Sequence, residues 1–447
     1  MKRLKGIAVR AGGPGNLNSQ PKEVSAPKRV VLPVDFPLGR VQAEVVPGDS
    51  VKRGQRIAGD PNGILPAVRA SIAGTVADIK VWLGPFGREY LSVVIEGDGR
   101  NDEVEKLSDQ DGPSGDPYDW LRLISEAGIR EADQFPWPLS VRIAQPALIP
   151  PMLFPFVPDL RRSIDCLIIN GLDRQPGVWL RSSALEFMGE SILEGIPILK
   201  TLSGARRTVL AVSKKEKLTE AMEHGLRMEG VELIRCPDVY PAGLEPLLVQ
   251  RVTGYEMPQP NGDARAVGAV MVDVISTARV ADAVMRGLPA TEALVQVSAP
   301  SQWIHGFISV REGTLLNDAL QTISPAPKNA ARVVTRGPFL GHAMYDLEVP
   351  LTQQTEAVIF QGEQDFKHFE DEPCINCGRC VQSCPMRLFP NELTRACEYG
   401  RFEEAEAKDL FRCIECGICS YVCPVRRPMV HLLRFGKNEL SAEKEER

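Results

Sequence analysis

The sequence predicts a multidomain protein of β and α/β units that ends in a cysteine-rich helical segment. Three observations carry that prediction. The chain has 447 residues, roughly three domains at about 150 residues each. Short β-branched runs punctuated by glycine give way after Ile164 to strands alternating with helical patterns, the texture of a parallel sheet. Nine of the eleven cysteines lie between Cys374 and Cys423, so cysteine chemistry belongs to one segment and not to the whole chain.

A net charge of -6, with 43% hydrophobic and 25% charged residues, is ordinary for a globular protein. It excludes disorder, collagen and a nucleic-acid coat as whole-chain readings, and no nucleic-acid partner is expected. Clustered cysteines in a long chain do not make a secreted disulfide scaffold; a reducing cytoplasm suits them better. The opening Met1-Lys2-Arg3-Leu4-Lys5 leads to Gly12-Gly13-Pro14-Gly15 without an apolar stretch, so no signal peptide is read. No run reaches the roughly 18 apolar residues of a membrane span. The nearest, Ala147 to Pro158, is broken by Pro150, Pro151 and Pro155 and is expected to be a buried loop, with a face toward a partner subunit as the alternative. Membrane association would come through partners.

The first unit, residues 28–97, alternates short strands with turns such as Pro47-Gly48-Asp49 and Lys52-Arg53-Gly54-Gln55. Val46 to Ala58, followed by Ala70 to Val76, resembles the barrel-sandwich fold of biotinyl and lipoyl carrier domains. The hairpin Leu65-Pro66-Ala67-Val68-Arg69 lacks the lysine those carriers modify, so a scaffold is expected. Loop formers from Gly97 to Asp119 read as a linker. Residues 119–285 form the α/β unit: strands at Cys166-Leu167-Ile168-Ile169 and Thr208 to Val212, helices over Ser182 to Glu194 and Lys215 to Met228. A third unit, residues 286–345, returns to short strands. Cys166 and Cys236 fall in strands and are expected in the core. The five histidines, His224, His305, His342, His368 and His431, show no metal-ligand spacing.

The last unit, residues 365–437, carries the most specific signal. Cys374, Cys377, Cys380 and Cys384 are spaced C-x2-C-x2-C-x3-C and followed by Pro385; Cys413, Cys416, Cys419 and Cys423 repeat that spacing before Pro424. At an offset of 39 residues the runs share Ile375 with Ile414, Gly378 with Gly417 and Arg387 with Arg426, which marks an internal duplication. Three thiolates at this spacing wrap one corner of a cubane, and in two-cluster ferredoxins the fourth cysteine of each run ligates the other cluster. The spacing therefore assigns Cys374, Cys377, Cys380 and Cys423 to one 4Fe-4S cluster, and Cys413, Cys416, Cys419 and Cys384 to a second. Structural zinc is the rival, but it uses two C-x2-C pairs per ion and leaves the triples and the trailing Cys-Pro unexplained. Cys397, in a helical pattern from Asn391 to Tyr399 that stops at Gly400, is read as a buried bystander, with a second short helix over Arg401 to Leu410.

These residues resemble the C subunit of the Rnf electron-transport complex. The resemblance rests on Cys374 to Cys380, Arg401-Phe402-Glu403-Glu404-Ala405-Glu406, and Cys413 to Pro424, with weaker likeness at Lys52-Arg53-Gly54-Gln55, Ala278 to Leu288 and Gly337-Pro338-Phe339-Leu340-Gly341. It implies a β-grasp module for residues 286–345 and a C-terminal helical dicluster ferredoxin domain. It also implies a peripheral protein on the cytoplasmic face of the cell membrane, held by other subunits of the complex and exchanging electrons with a soluble ferredoxin or flavoprotein. The family binds FMN and NADH through a glycine-rich loop. Where those glycines are expected this chain has Glu131, Asp133, Gln134 and Pro136, which bring negative charge and remove an N–H donor. The family's acidic-Cys-acidic-Pro run appears as Asn170-Gly171-Leu172-Asp173-Arg174-Gln175-Pro176 and keeps one carboxylate. Asn170 and Asp173 remain as cofactor-site candidates, and the rewritten loop argues against flavin and nicotinamide binding. Three functions follow: an electron-transfer subunit with two clusters, an NADH-oxidising flavoprotein of Rnf or cobalamin-reductase type, and a docking protein whose clusters are structural.

Overall fold

The computed structural model describes residue 7 and residues 20–36, 39–84, 89–99, 103–108, 115–132, 137–150, 153, 158–258, 262–323, 327–369 and 372–445. Near the N-terminus β1 (Arg29–Pro33), β2 (Ser50–Val51), β3 (Gly74–Leu83) and β4 (Glu89–Gly97) form an antiparallel sheet in the order β1-β4-β3-β2. Gln42–Ala43, Arg56–Gly59 and Val68–Arg69 make a second, three-stranded sheet. Val30, Leu32, Ile57, Ile72 and Ile95 fill the core that the two share. Strand alternation explains why β1 is apolar throughout: Val30 and Leu32 point into this core, while Val31 points out against Leu315 of a later module. Arg69, at the hairpin where a carrier lysine would stand, lies against α1 (Pro117–Glu126) with its guanidinium 2.8 Å from the Glu126 carboxylate.

The linker runs back along both neighbours. The Glu105 amide donates to the Arg53 carbonyl and the Leu107 amide to that of Gly287. The α/β unit then contains β5 (Cys166–Asn170), β6 (Arg207–Ser213), β7 (Glu232–Cys236) and β8 (Ala269–Asp273), all parallel in the order β7-β6-β5-β8. β5 and β8 are buried along their whole length, as strands covered on both faces must be. The helical stretch expected from Ser182 to Glu194 is two helices, α3 (Leu180–Phe187) and α4 (Gly189–Ser203), because Met188 leaves helical geometry. The helix expected from Lys215 starts later, as α5 (Glu220–Met228), because the Thr219 hydroxyl accepts from the Met222 amide and caps it there. α6 (Glu245–Thr253) and α7 (Val274–Arg286) complete the unit. Of the Ala147 to Pro158 run, Ile149 and Leu153 are buried, whereas residues 151, 152 and 154–157 fall outside the described residues.

The third module is a β-grasp. β9 (Glu292–Ala299) and β10 (Ile304–Arg311) form a hairpin, α8 (Leu316–Thr322) crosses over, and β11 (Arg332–Thr335), β12 (His342–Met344) and β13 (Ala357–Gln361) follow. The sheet order is β10-β9-β13-β11-β12, with β9 and β13 parallel at its centre and Lys22–Glu23 added beside β10. A boundary at residue 345 falls inside this module, since β13 is its central strand. Turn signals mark where strands end but not which strand a later segment will pair with.

Five helices complete the chain: α9 (Arg379–Ser383), α10 (Pro390–Glu398), α11 (Phe402–Ala407), α12 (Ile418–Tyr421) and α13 (Met429–Glu445). Among the described residues no helix is long and apolar enough to cross a membrane.

Candidate metal centre

The duplication in sequence is also a duplication of backbone. Asn376, Gly378 and Arg387 have φ of 53°, 73° and 58°, and their counterparts Glu415, Gly417 and Arg426 have 52°, 72° and 49°. A non-glycine residue at positive φ costs about 1 kcal/mol or more, and such strain concentrates where a loop must wrap something. α9 and α12 each begin directly after the glycine, and α10 and α13 each begin at the sixth residue beyond the fourth cysteine of their run.

Each set of four thiols encloses a cavity. Cys384, Cys413, Cys416 and Cys419 line one, with Leu388 and Ile418 among its apolar walls. Cys374, Cys377, Cys380 and Cys423 line another, bordered by Arg379, Asn391 and Arg427. Each cavity thus takes three thiols from one run and one from the other. Their settings differ: Cys374 and Cys377 are exposed, whereas Cys384, Cys416 and Cys419 are buried. Burial pushes the Cys413 thiol up to about 11 and Cys416 up to about 12, and raises Cys419 as well. Thiolates in such places need a bound cation to offset their charge. Among the described residues no three His, Cys, Asp or Glu side chains converge closely enough for a single metal ion. Two groups of four thiols, each three from one C-x2-C-x2-C run and one from the other, fit two polynuclear iron-sulfur clusters better than zinc, which takes two C-x2-C pairs per ion.

The buried set is joined to the rest of the molecule. The Tyr240 hydroxyl donates to the Cys416 carbonyl at 2.6 Å, and burial raises the Tyr240 phenol. Its ring stacks 4.8 Å from that of Phe339, which lies 5.4 Å from Tyr421. A Cβ on Gly417 would stand 3.2 Å from the Phe339 ring, so this glycine supplies both positive φ and room for the neighbouring module. Glu415 sits below the usual carboxylate range; Lys437 and Arg434, each 2.8 Å away, outweigh its burial. Tyr240 carried no signal in the sequence, because its role depends on a partner 176 residues away.

Cys397 lines neither cavity. It is fully buried on α10 against Gly436 of α13. Cys166 and Cys236 lie in the core beneath α6. His305 packs edge-on against Trp179, and His431 against Phe369.

A second place of interest is the carboxyl edge of the parallel sheet between β5 and β8, where the strand order reverses and folds of this kind take their ligands. Asn170 is buried, donating to the Gly243 carbonyl and accepting from the Leu172 amide, both at 3.0 Å. Asp173 accepts from the Arg181 and Ser182 amides at 3.0 and 3.1 Å and from the Ser182 hydroxyl at 2.6 Å, closing the start of α3. Burial raises its carboxyl to about 7 against those hydrogen bonds. Asp273 likewise accepts from the Ile275 and Ser276 amides, both at 2.9 Å, closing the start of α7. Glu356, just before β13, bridges Arg174 at 3.1 Å and Arg181 at 3.2 Å. Gln175 donates to the Arg336 carbonyl and accepts from the Phe339 and Leu340 amides, tying this edge to the loop that covers Cys416.

Comparison with known proteins agrees with this layout. Residues 5–100 match the RnfC barrel sandwich hybrid domain, residues 125–282 the Nuo51 FMN-binding domain, and residues 367–425 a 4Fe-4S dicluster domain. The C subunit of the proton-translocating ferredoxin:NAD(+) oxidoreductase complex of Clostridium ljungdahlii is 30% identical over 426 residues, covering 94% of this chain and 90% of its own length. The chain belongs to the RnfC family. The C subunit of the Na(+)-translocating ferredoxin:NAD(+) oxidoreductase complex of Acetobacterium woodii is 27% identical, covering 94% of this chain and 92% of its own length. In the C subunit of the ion-translocating oxidoreductase complex of Pectobacterium atrosepticum the 28% identical region spans 94% of this chain but 59% of the relative.

For this RnfC chain the matched central domain is named for FMN. A flavin phosphate needs free amide donors, of the kind helix N-termini present. In this chain Asp173 and Asp273 occupy those amides at both helices facing the switch point, and the Arg181–Glu356–Arg174 network lies beside them. The residues present do not fit a flavin phosphate at this edge. Glu131, one of the four glycine replacements, turns inward to pair with Arg142 at 2.5 Å. Asp133, Gln134 and Pro136 lie outside the described residues.

Proposed function

We propose that the chain is the electron-transfer subunit of an Rnf-type complex, with Cys374, Cys377, Cys380 and Cys423 holding one 4Fe-4S cluster and Cys413, Cys416, Cys419 and Cys384 the other. The observation that carries the assignment is the pair of cavities, each with four thiols in a three-plus-one division between the runs. When bound, such clusters accept and release single electrons. The chain's own residues set their surroundings: apolar side chains keep water from the Cys416 set, while Arg379 and Arg427 border the Cys374 set. The α/β and β-grasp modules position the buried set through Tyr240 and Phe339. The partners are the other subunits of the complex and a soluble ferredoxin or flavoprotein. We place the chain on the cytoplasmic face of the cell membrane, held by those subunits, since its relatives are named as subunits of ion-translocating complexes.

Replacing Cys384 by Ala tests the assignment. Its effect should fall on the cluster of Cys413, Cys416 and Cys419, seen by EPR, with iron dropping from about eight per chain. Loss of the Cys374 cluster instead would overturn the crossed arrangement. The match of residues 125–282 to an FMN-binding domain favours a second reading, a flavoprotein. Stoichiometric flavin in the purified protein, bleached by NADH, would establish it over the flavin-free relay.

A further inference from the structure

The barrel, the α/β unit and the β-grasp meet around a cleft of about 330 Å³, remote in sequence from the cysteines. Its apolar wall is built from Phe187, Ile275, Leu288 and Leu294. Arg279, on α7, also lines it and carries the feature that singles the cleft out. Among the described residues its guanidinium makes one hydrogen bond, from Nη2 to the Glu292 carbonyl at 3.2 Å, and no ion pair within 4.0 Å. The nearby carboxylates are engaged elsewhere. Glu292 pairs with Arg53 at 2.9 Å and Arg311 at 2.5 Å, and Asp282 with Arg286 at 3.2 Å. Asp273 caps α7, and Glu312 accepts from Gln353 at 2.9 Å. Arg279 is half-buried in the cleft wall; burial lowers its guanidinium against the opposing pull of Asp273, Glu312, Asp282 and Glu292, none of which pairs with it directly. A guanidinium with free N–H groups offers paired donors to one planar anion. Arg53, Asp282 and Glu292 also line the cleft, but Arg53 and Glu292 pair with each other and Asp282 pairs with Arg286; a mostly apolar cleft at a domain junction with a few polar groups is the usual form of a small-molecule site.

We propose that this cleft binds a small amphipathic monoanion, a carboxylate on a short apolar body, with Arg279 taking the carboxylate. With Arg53 paired to Glu292 and Asp282 to Arg286, the cleft has one cationic charge to spare, that of Arg279, which a monoanion matches. The proposal does not depend on the cluster assignment.

Calorimetric titration of sodium octanoate into the cluster-loaded full chain tests it, with octan-1-ol as the uncharged control. One saturable site per chain is expected, with octan-1-ol binding at least tenfold more weakly. R279M, which keeps the apolar reach and removes the charge, should weaken octanoate by at least tenfold. L288W, which narrows the cleft and leaves Arg279 in place, should do the same, and visible absorbance of the clusters reports folding of both variants. Octanoate giving no saturable heat, or binding the wild type and a folded R279M alike, overturns the proposal.

Discussion

At Asp173 burial and hydrogen bonding pull in opposite directions, and burial prevails, raising the carboxyl to about 7. The sign follows from proton counting. Between the ordinary carboxyl range and pH 7 the folded chain keeps a proton that the unfolded chain has released, so this residue's contribution to stability falls as pH rises through that window. Urea midpoints should therefore be lower at pH 8 than at pH 5.5, and D173N should flatten the difference, on the order of a few kcal/mol. A D173N protein with the wild-type slope would count against it. Cys397 offers a second test. A Cβ on Gly436 would collide with the Cys397 Sγ, so G436A should destabilise by about 1–3 kcal/mol. C397A/G436A should recover most of that loss on thermal melting, with iron unchanged. The division of the cysteines into two groups of four that share a cavity each, with Cys397 outside both, follows the spacing of the runs. The carboxylate at 173 was legible as an acid but not as a helix cap, because its partners Arg181 and Ser182 are placed by the fold of the intervening turn.

Element by element, the helices with local punctuation could be read directly. α10 has Pro390 at its start and Gly400, with φ 68°, just past its end. The break at Met188 is followed by Gly189, but this glycine lacks positive φ and opens α4, and the two helices merged into one in the sequence. The cysteine loops show what spacing leaves out: their environment. Residues Cys374 and Cys377 face solvent, while Cys384, Cys416 and Cys419 are buried among apolar side chains. Adding an electron to an anionic cluster is less favourable in the drier site. In a redox titration followed by EPR, the Cys374 cluster should have the higher midpoint potential, and C384A should shift or remove only the lower one. The reverse order would mean that hydrogen bonds to sulfur outweigh solvent exposure.

The whole molecule is fastened by groups that sequence patterns do not connect. Short strands announced a third module, yet its central strand β13 lay past the expected boundary, since pairing with β9 spans more than fifty residues. Glu356 joins that module to the α/β unit through Arg174 and Arg181, and all three charges are largely shielded from water. Taking one partner from a buried pair costs about 3–5 kcal/mol, so E356Q should lower the denaturation midpoint by that order. If the modules melt separately in E356Q but together in the wild type, the clamp is what couples them. The family relationship was legible from the cysteine runs; the occupation of the flavin edge by Asp173 and Asp273 became visible only once both helices were seen to start there.

The three-plus-one division of thiols bears on how such a domain could arise. A single run with its following helix supplies three thiols to its own cavity and sends the fourth across to its neighbour. One copy alone cannot complete either set, whereas two copies docked with α10 against α13 complete both at once. A single run could complete its set only by docking with a second copy, and here the helical link through α11 makes that exchange intramolecular.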